Sequence, residues 1–180
     1  NSVIEIGQSF LRRLMRQTGE TANLAVPDGS HVVFVGQVEA ANPLRAFFPP
    51  GTRTSMHASG TGKAILAAMS DAALDRALSN MMLKGYTDHT CASREALLRD
   101  LDQIRARGWS YDLEERHVGM SCIGAAIHDE TGLPHAGISV SGPSSRFGAD
   151  RLEDLGAQVV KAARDITQLS GGQIPDASQG

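Results

Sequence analysis

The chain has 180 residues, 41% of them apolar and 21% charged, with a formal net charge of −3. That composition suits one globular domain with enough chain to bury a core. It excludes a self-sufficient nucleic-acid grip, which needs a basic stripe facing phosphates, and no apolar run approaches a membrane span in length. Cys91 and Cys122, the two cysteines, form neither a CxxC pair nor a disulfide framework, so a reducing, cytoplasmic setting is expected. The sequence starts at Asn1 without a Met or a charged-then-apolar leader, and is expected to be a piece of a longer protein.

Val3, Ile6, Phe10 and Leu14 recur at helical spacing. Ser2 is the expected cap, arginines 12, 13 and 16 suit the C-terminal end of the dipole, and Gly19 is the stop. Residues 21–26 and 31–38 read as strands joined by Pro27-Asp28-Gly29-Ser30, a hairpin turn. A further short strand is expected over 43–48, before Pro49-Pro50-Gly51. The stretch from Thr54 then leads through Ser59-Gly60-Thr61-Gly62 into a helix bearing Ala64, Ile65, Ala67, Ala68 and Met69. Ser70-Asp71 caps a short helix with Leu74 and Leu78 inward, and Ser93 caps a longer one with Leu97, Leu101 and Ile104 inward, closed by Gly108. Strands follow at 109–113, 118–128 and 135–141, the last two joined by the turn Asp129–Gly132. A final helix starts at Asp150, where Asp150 and Glu153 have capping-box spacing; its inner face is Leu152, Leu155, Val159, Ala162, Ile166 and Leu169. The Gly-, Ser- and Gln-rich tail 171–180 is expected to be flexible. Hairpins outnumber βαβ units, so the fold class is α+β: an antiparallel sheet with helices packed on it.

GISVSGP, residues 137–143, is the first candidate for function. Period two puts Ile138 and Val140 on one face and Gly137, Ser139 and Ser141 on the other. In the preceding strand, Val118, Met120, Cys122, Gly124 and Ala126 share a face. A hairpin of ordinary register brings Cys122 and Gly124 beside Ser139 and Ser141, forming a small, weakly polar patch with open space above it. HASGTGK, residues 57–63, offers small residues at a helix start, where free N–H groups suit an anion such as a carboxylate. Close helix-to-sheet packing explains the same residues equally well. A Walker loop does not fit, because His57 stands where a glycine is needed and Ala64 where a Ser or Thr is needed.

Other groups carry less. Asp88, His89 and Cys91 are too closely spaced for a tetrahedral metal site without distant partners, so no metal or cofactor is expected. Cys122 is a nucleophile only with a base, and His117, at odd parity, is placed on the opposite face of the strand. Asp112, Glu114 and Glu115 cluster at a strand end, where Asp112 is a candidate for the pocket rim.

The runs GTRTSMHASGTGKAILAAM (51–69) and RGWSYDLEERHVGMSCIGAAIHDETGLPHAGISVSGPSSRF (107–147), with the Leu-rich helix from Asp150, resemble the effector-binding domain of IclR-type bacterial transcriptional regulators. The resemblance spans nearly the whole chain. It implies a GAF/profilin-like fold and a homodimer or homotetramer, with a small-molecule effector, often an organic acid. It also implies a preceding winged helix-turn-helix domain that alone contacts DNA; this chain lacks it, and residues 2–17 correspond to the linker or first helix. Carried over by position, the effector contacts are the backbone of Gly60 and Thr61 together with Asp112, Cys122, Ser139 and Ser141, with a variable wall from Leu44–Phe47. Many relatives have Arg at the position of Ser121, whose side chain is expected to point away from the pocket. A GAF-like enzyme with a reactive cysteine is the alternative, and an empty dimerisation module a third reading.

Overall fold

The computed structural model describes residues 2–175. Its elements run α1 (Ser2–Thr18), β1 (Thr21–Asp28), β2 (His31–Val38), β3 (Arg53–Ser55), α2 (Gly60–Ala67), α3 (Asp71–Ser79), α4 (Arg94–Arg107), β4 (Ser110–Leu113), β5 (Met120–His128), β6 (Pro134–Pro143) and α5 (Ala149–Leu169). The six strands form one curled antiparallel sheet in the order β3-β2-β1-β6-β5-β4.

Two apolar cores lie on opposite faces of this sheet. α1 and α5 bury Leu11, Leu14, Leu155, Val159 and Ile166 against Leu24, Ile123, Ile127, Ile138 and Val140. α2, α3 and α4 bury Ile65, Leu66, Leu74, Leu97, Leu101 and Ile104 with Phe34 and Met56. The alternation read from GISVSGP therefore sends Ile138 and Val140 to the α1/α5 core, and Ser139 and Ser141 towards α2.

Caps behave as their chemistry dictates where a side chain reaches. Ser59, Ser70 and Ser93 accept from the amides of Gly62, Ala73 and Ala96. Gly19 and Gly108, at φ +76 and +93, leave α1 and α4 in the left-handed region. Several expectations fail. Ser2 already lies inside α1. α5 starts one residue early with Gly148 as its cap, so Asp150 and Glu153 make no capping box. Leu169 is 64% exposed, because α5 has by then run past the sheet.

Residues 43–48 form no strand. Side chains, not a ladder, hold this backbone: Thr21 Oγ1 donates to the Ala46 carbonyl (2.7 Å), and the Phe48 amide donates to Gln37 Oε1 (3.0 Å). The β2 edge is paired instead by β3. Of the terminal stretch, Gly172 and Gln173 donate to the carbonyls of Thr167 and Asp129 (2.7 and 2.9 Å). Residues 176–180 lie outside the described residues.

Candidate functional site

The floor of the site is built from two rows of side chains on the α2 face. β4, β5, β6 and β1 pair so that Asp112, Cys122, Ser141 and Thr21 stand side by side. One step along the strands, Ser110, Gly124, Ser139 and Asn23 form the second row. Directly opposed residues share a face in an antiparallel pair, so the thiol and both serine hydroxyls point to the same side. A register shift does occur on β5, but only at Ile127/His128, beyond the site.

α2 lies very close to this floor. A Cβ on Gly124 comes 2.7 Å from the Gly60 carbonyl, and one on Gly60 comes 2.6 Å from Cys122 Sγ. Gly62 is tighter still against the Met56 backbone, at 2.2 Å. Ser110 ties the layers, donating to the Gly60 carbonyl (2.5 Å) and accepting from the Gly124 amide (3.1 Å). Glycines are thus required by packing. The same approach aims the start of α2 over Cys122, with the Gly60 amide directed at the Cys122 sulfur.

Above the first row is a cavity of about 110 Å³, room for about four waters at roughly 30 Å³ each. Gly60, Thr61, Asp112, Cys122 and Ser141 line it, as does Met120. Ser139 does not; it is fully buried in the second row, its Oγ without a nitrogen or oxygen partner. The apolar wall is Phe48 stacked on Phe34, centroids 4.7 Å apart. This corrects the expectation of a wall from Leu44–Phe47, of which Leu44 and Phe47 are largely exposed.

The mouth carries Arg53, Arg116 and His117. The expected parity of His117 was wrong because β5 begins only at Met120. Residues 114–119 form an irregular turn, closed by the Glu114 amide on the Met120 carbonyl (3.0 Å) and the Gly119 amide on Glu114 Oε1 (2.6 Å). That turn swings Arg116 and His117 over the cavity and leaves Val118 81% exposed. Ser121 faces the other way, bonded to Ser144 Oγ at 2.8 Å.

Behind α2 sits a buried charge cluster that sequence reasoning missed. Lys63 is fully buried. Its ammonium donates to Asp100 on α4 (2.5 Å), the Tyr111 carbonyl (2.9 Å) and Glu115 (2.9 Å). Burial disfavours its charge, but Glu115 and Asp100 outweigh that and raise it to about 12. Burial pushes Glu115 up to about 7, with Lys63 opposing and Asp112 adding to the rise. Asp112, whose Oδ1 accepts from the Glu115 amide (2.8 Å), is pushed up by burial to about 6 against the pull of that bond and of Lys63.

Cys91 Sγ lies within 4.8 Å of Asp100 and Glu115 ligand atoms, while Asp88 and His89 are exposed. The Lys63 ammonium already binds both carboxylates and takes the place a cation would occupy, so the set does not suit a metal ion. Both thiols are weak acids: burial first, then neighbouring carboxylates, raise Cys91 to about 11 and Cys122 to about 12.

Residues 1–168 match the family described as bacterial transcriptional regulator IclR C-terminal. The chain belongs to this IclR family. The HTH-type transcriptional regulator BhcR of Paracoccus denitrificans is 48% identical over 167 residues, 93% of this chain and 60% of that protein. Thermotoga maritima IclR superposes with a TM-score of 0.90 at 31% identity, over 94% of this chain and 68% of that one. The PobR inducer-binding domain from Acinetobacter, a double mutant in complex with 3-hydroxybenzoic acid, has a TM-score of 0.80 at 25% identity, over 92% of this chain and 97% of its own. The fold is thus the GAF/profilin-like fold of IclR C-terminal domains. The chain spans about three fifths of the length of the curated relatives it matches. No helix among the described residues is long and apolar enough to cross a membrane.

Proposed function

We propose that this IclR-family chain is the effector-sensing domain of a transcriptional regulator, that its cavity takes a small organic acid, and that it has no chemistry of its own. One observation carries the acid: Arg116 lines the cavity, and its guanidinium, over the Tyr86 ring (4.1 Å to the centroid), pairs with no carboxylate among the described residues. The first-turn amides of α2, at Gly60 and Thr61, add partial positive charge at the start of the helix. Asp112 does not oppose an anion, because its raised pKa lets it take a proton and donate a hydrogen bond. Cys122 and Ser141 complete the floor. The aromatic acid held by the PobR inducer-binding domain supports the reading.

Transmission follows from linkage: an effector that favours one arrangement of paired subunits shifts that equilibrium by its difference in affinity for the two states. In the whole protein, a dimer or tetramer in the cytoplasm, this moves a winged helix-turn-helix domain ahead of the chain, which alone contacts DNA. A thiol enzyme is disfavoured, since nucleophilic cysteines have lowered pKa values and both thiols here are raised.

The test is a thermal-shift and calorimetric screen of small aliphatic and aromatic carboxylates. Saturable binding without turnover is expected. Arg116→Gln should weaken it at least tenfold, Ser141→Ala about fivefold for one lost hydrogen bond of about 1 kcal/mol, and Cys122→Leu should block the floor. If no carboxylate binds, or Arg116→Gln leaves affinity unchanged, the reading is wrong.

A further inference from the structure

Among the described residues, Asn23 alone has two buried side-chain polar atoms without a hydrogen-bond partner. It is fully buried in the middle of β1, and neither its Oδ1 nor its Nδ2 has a hydrogen-bond partner among the described residues. Its cross-strand neighbour on β6 is Ser139, also fully buried, whose Oγ has only the weakly bonding Cys122 thiol near it and no nitrogen or oxygen partner. On the other side it faces Gln37 of β2, whose Oε1 is already taken by the Phe48 amide. Buried polar groups are nearly always satisfied, and each orphan costs on the order of 1–3 kcal/mol.

The neighbouring row shows that the strand itself does not force this. Thr21, two residues earlier on the same face, closes two bonds, donating to the Ala46 carbonyl and accepting from the Ala40 amide. Three orphan atoms therefore sit together, one row from Cys122 and Ser141 of the cavity floor.

We infer that Asn23, with Ser139, forms an inner subsite that binds a hydroxyl or carbonyl oxygen of the effector beyond its carboxylate, and that Asn23 sets which acids the domain accepts. This rests on the cavity being an organic-acid site. An amide has both a donor and an acceptor, so a hydroxyl is met at its hydrogen and its oxygen together, while a carbonyl oxygen takes Nδ2 and the Ser139 hydroxyl. A plain alkyl or aryl acid leaves all three atoms orphaned, which is how a site built for a polar group rejects the analogue lacking it. The unsatisfied apo row is a local loss of stability that the correct effector removes.

The experiment compares Asn23→Leu, which has nearly the same shape and no polar atom, with the unaltered chain. Calorimetry is run on propanoate against 2-hydroxypropanoate and on benzoate against 3-hydroxybenzoate. The unaltered chain should bind the hydroxylated member of at least one pair tenfold or more tightly. Asn23→Leu should reduce that preference to within twofold while the parent acid still binds in an Arg116-dependent manner, and its melting temperature without effector should be equal or higher. If the acids bind in an Arg116-dependent manner but Asn23→Leu keeps the preference, the inner subsite is wrong and the organic-acid reading stands. A Asn23→Leu chain that melts several degrees lower with its preference intact assigns Asn23 a structural role. If none of the four acids binds the unaltered chain, both readings fall.

Discussion

Lys63→Met is the sharpest perturbation the structure offers. The substitution keeps most of the stem's volume and deletes one charge. Lys63 is fully buried, with Asp100 and Glu115 on its ammonium at 2.5 and 2.9 Å. Removing one partner of a buried ion pair costs about 3–5 kcal/mol, because the other charge is left without compensation. For 180 residues, with about 2–4 °C per kcal/mol, the melting temperature should drop by about 6–20 °C at pH 7.5. The sign of the pH dependence follows from linkage. Burial raises Asp112 to about 6 and Glu115 to about 7, above the ordinary carboxylate range, so between about pH 4 and 7 these two groups hold more protons in the folded chain than in the unfolded one and their contribution to stability falls as pH rises. Without Lys63 both carboxyls move further up and the slope steepens, so the deficit of Lys63→Met should shrink on going from pH 8 to pH 5. Adding Glu115→Gln should restore part of the loss. The assay is differential scanning calorimetry of the three chains across that range. A loss below about 3 °C at pH 7.5, or a deficit that does not change with pH, refutes the charge-cluster reasoning.

Three more predictions bear on the cavity. Binding of a carboxylate beside Asp112 should take up a proton, with affinity rising from pH 8 to pH 6; calorimetry in two buffers of different ionisation heat reads this, and zero uptake contradicts it. Gly124→Ala, whose Cβ meets the Gly60 carbonyl at 2.7 Å, should cost about 1–3 kcal/mol by lifting α2 from the floor, seen as a lower denaturation midpoint with unchanged slope. Cys122 and Cys91 should alkylate far more slowly than free cysteine at pH 8 in the folded chain, since burial holds both as thiols; thiol labelling at the rate of the unfolded protein refutes that.

How much of this was legible in the sequence depends on the range of the interactions involved. Helix starts at Ser70 and Ser93 were readable because a cap bonds an amide three residues on. The shared face of Cys122, Ser139 and Ser141 was readable because strand parity is local and a hairpin fixes its own register. The same counting failed for His117, the fourth residue of a turn that the apolar Val118 disguised as strand, and for 43–48, where side chains from Thr21 and Gln37 hold the backbone in place of a ladder. Lys63 has no role that HASGTGK reveals once a phosphate loop is excluded. What it does is decided by carboxylates 37 and 52 residues away, which no local pattern reports. Asn23 was hidden differently: in TANLAV it reads as one polar residue in an apolar strand, an ordinary outward position. Only the order β1-β6-β5-β4 puts it in line with Ser139 and beneath α2, where an amide without a partner has a meaning. The part of the site contributed by one hairpin was therefore open to reading, whereas the parts that set charge and selectivity arise from contacts the chain makes only after the sheet has closed.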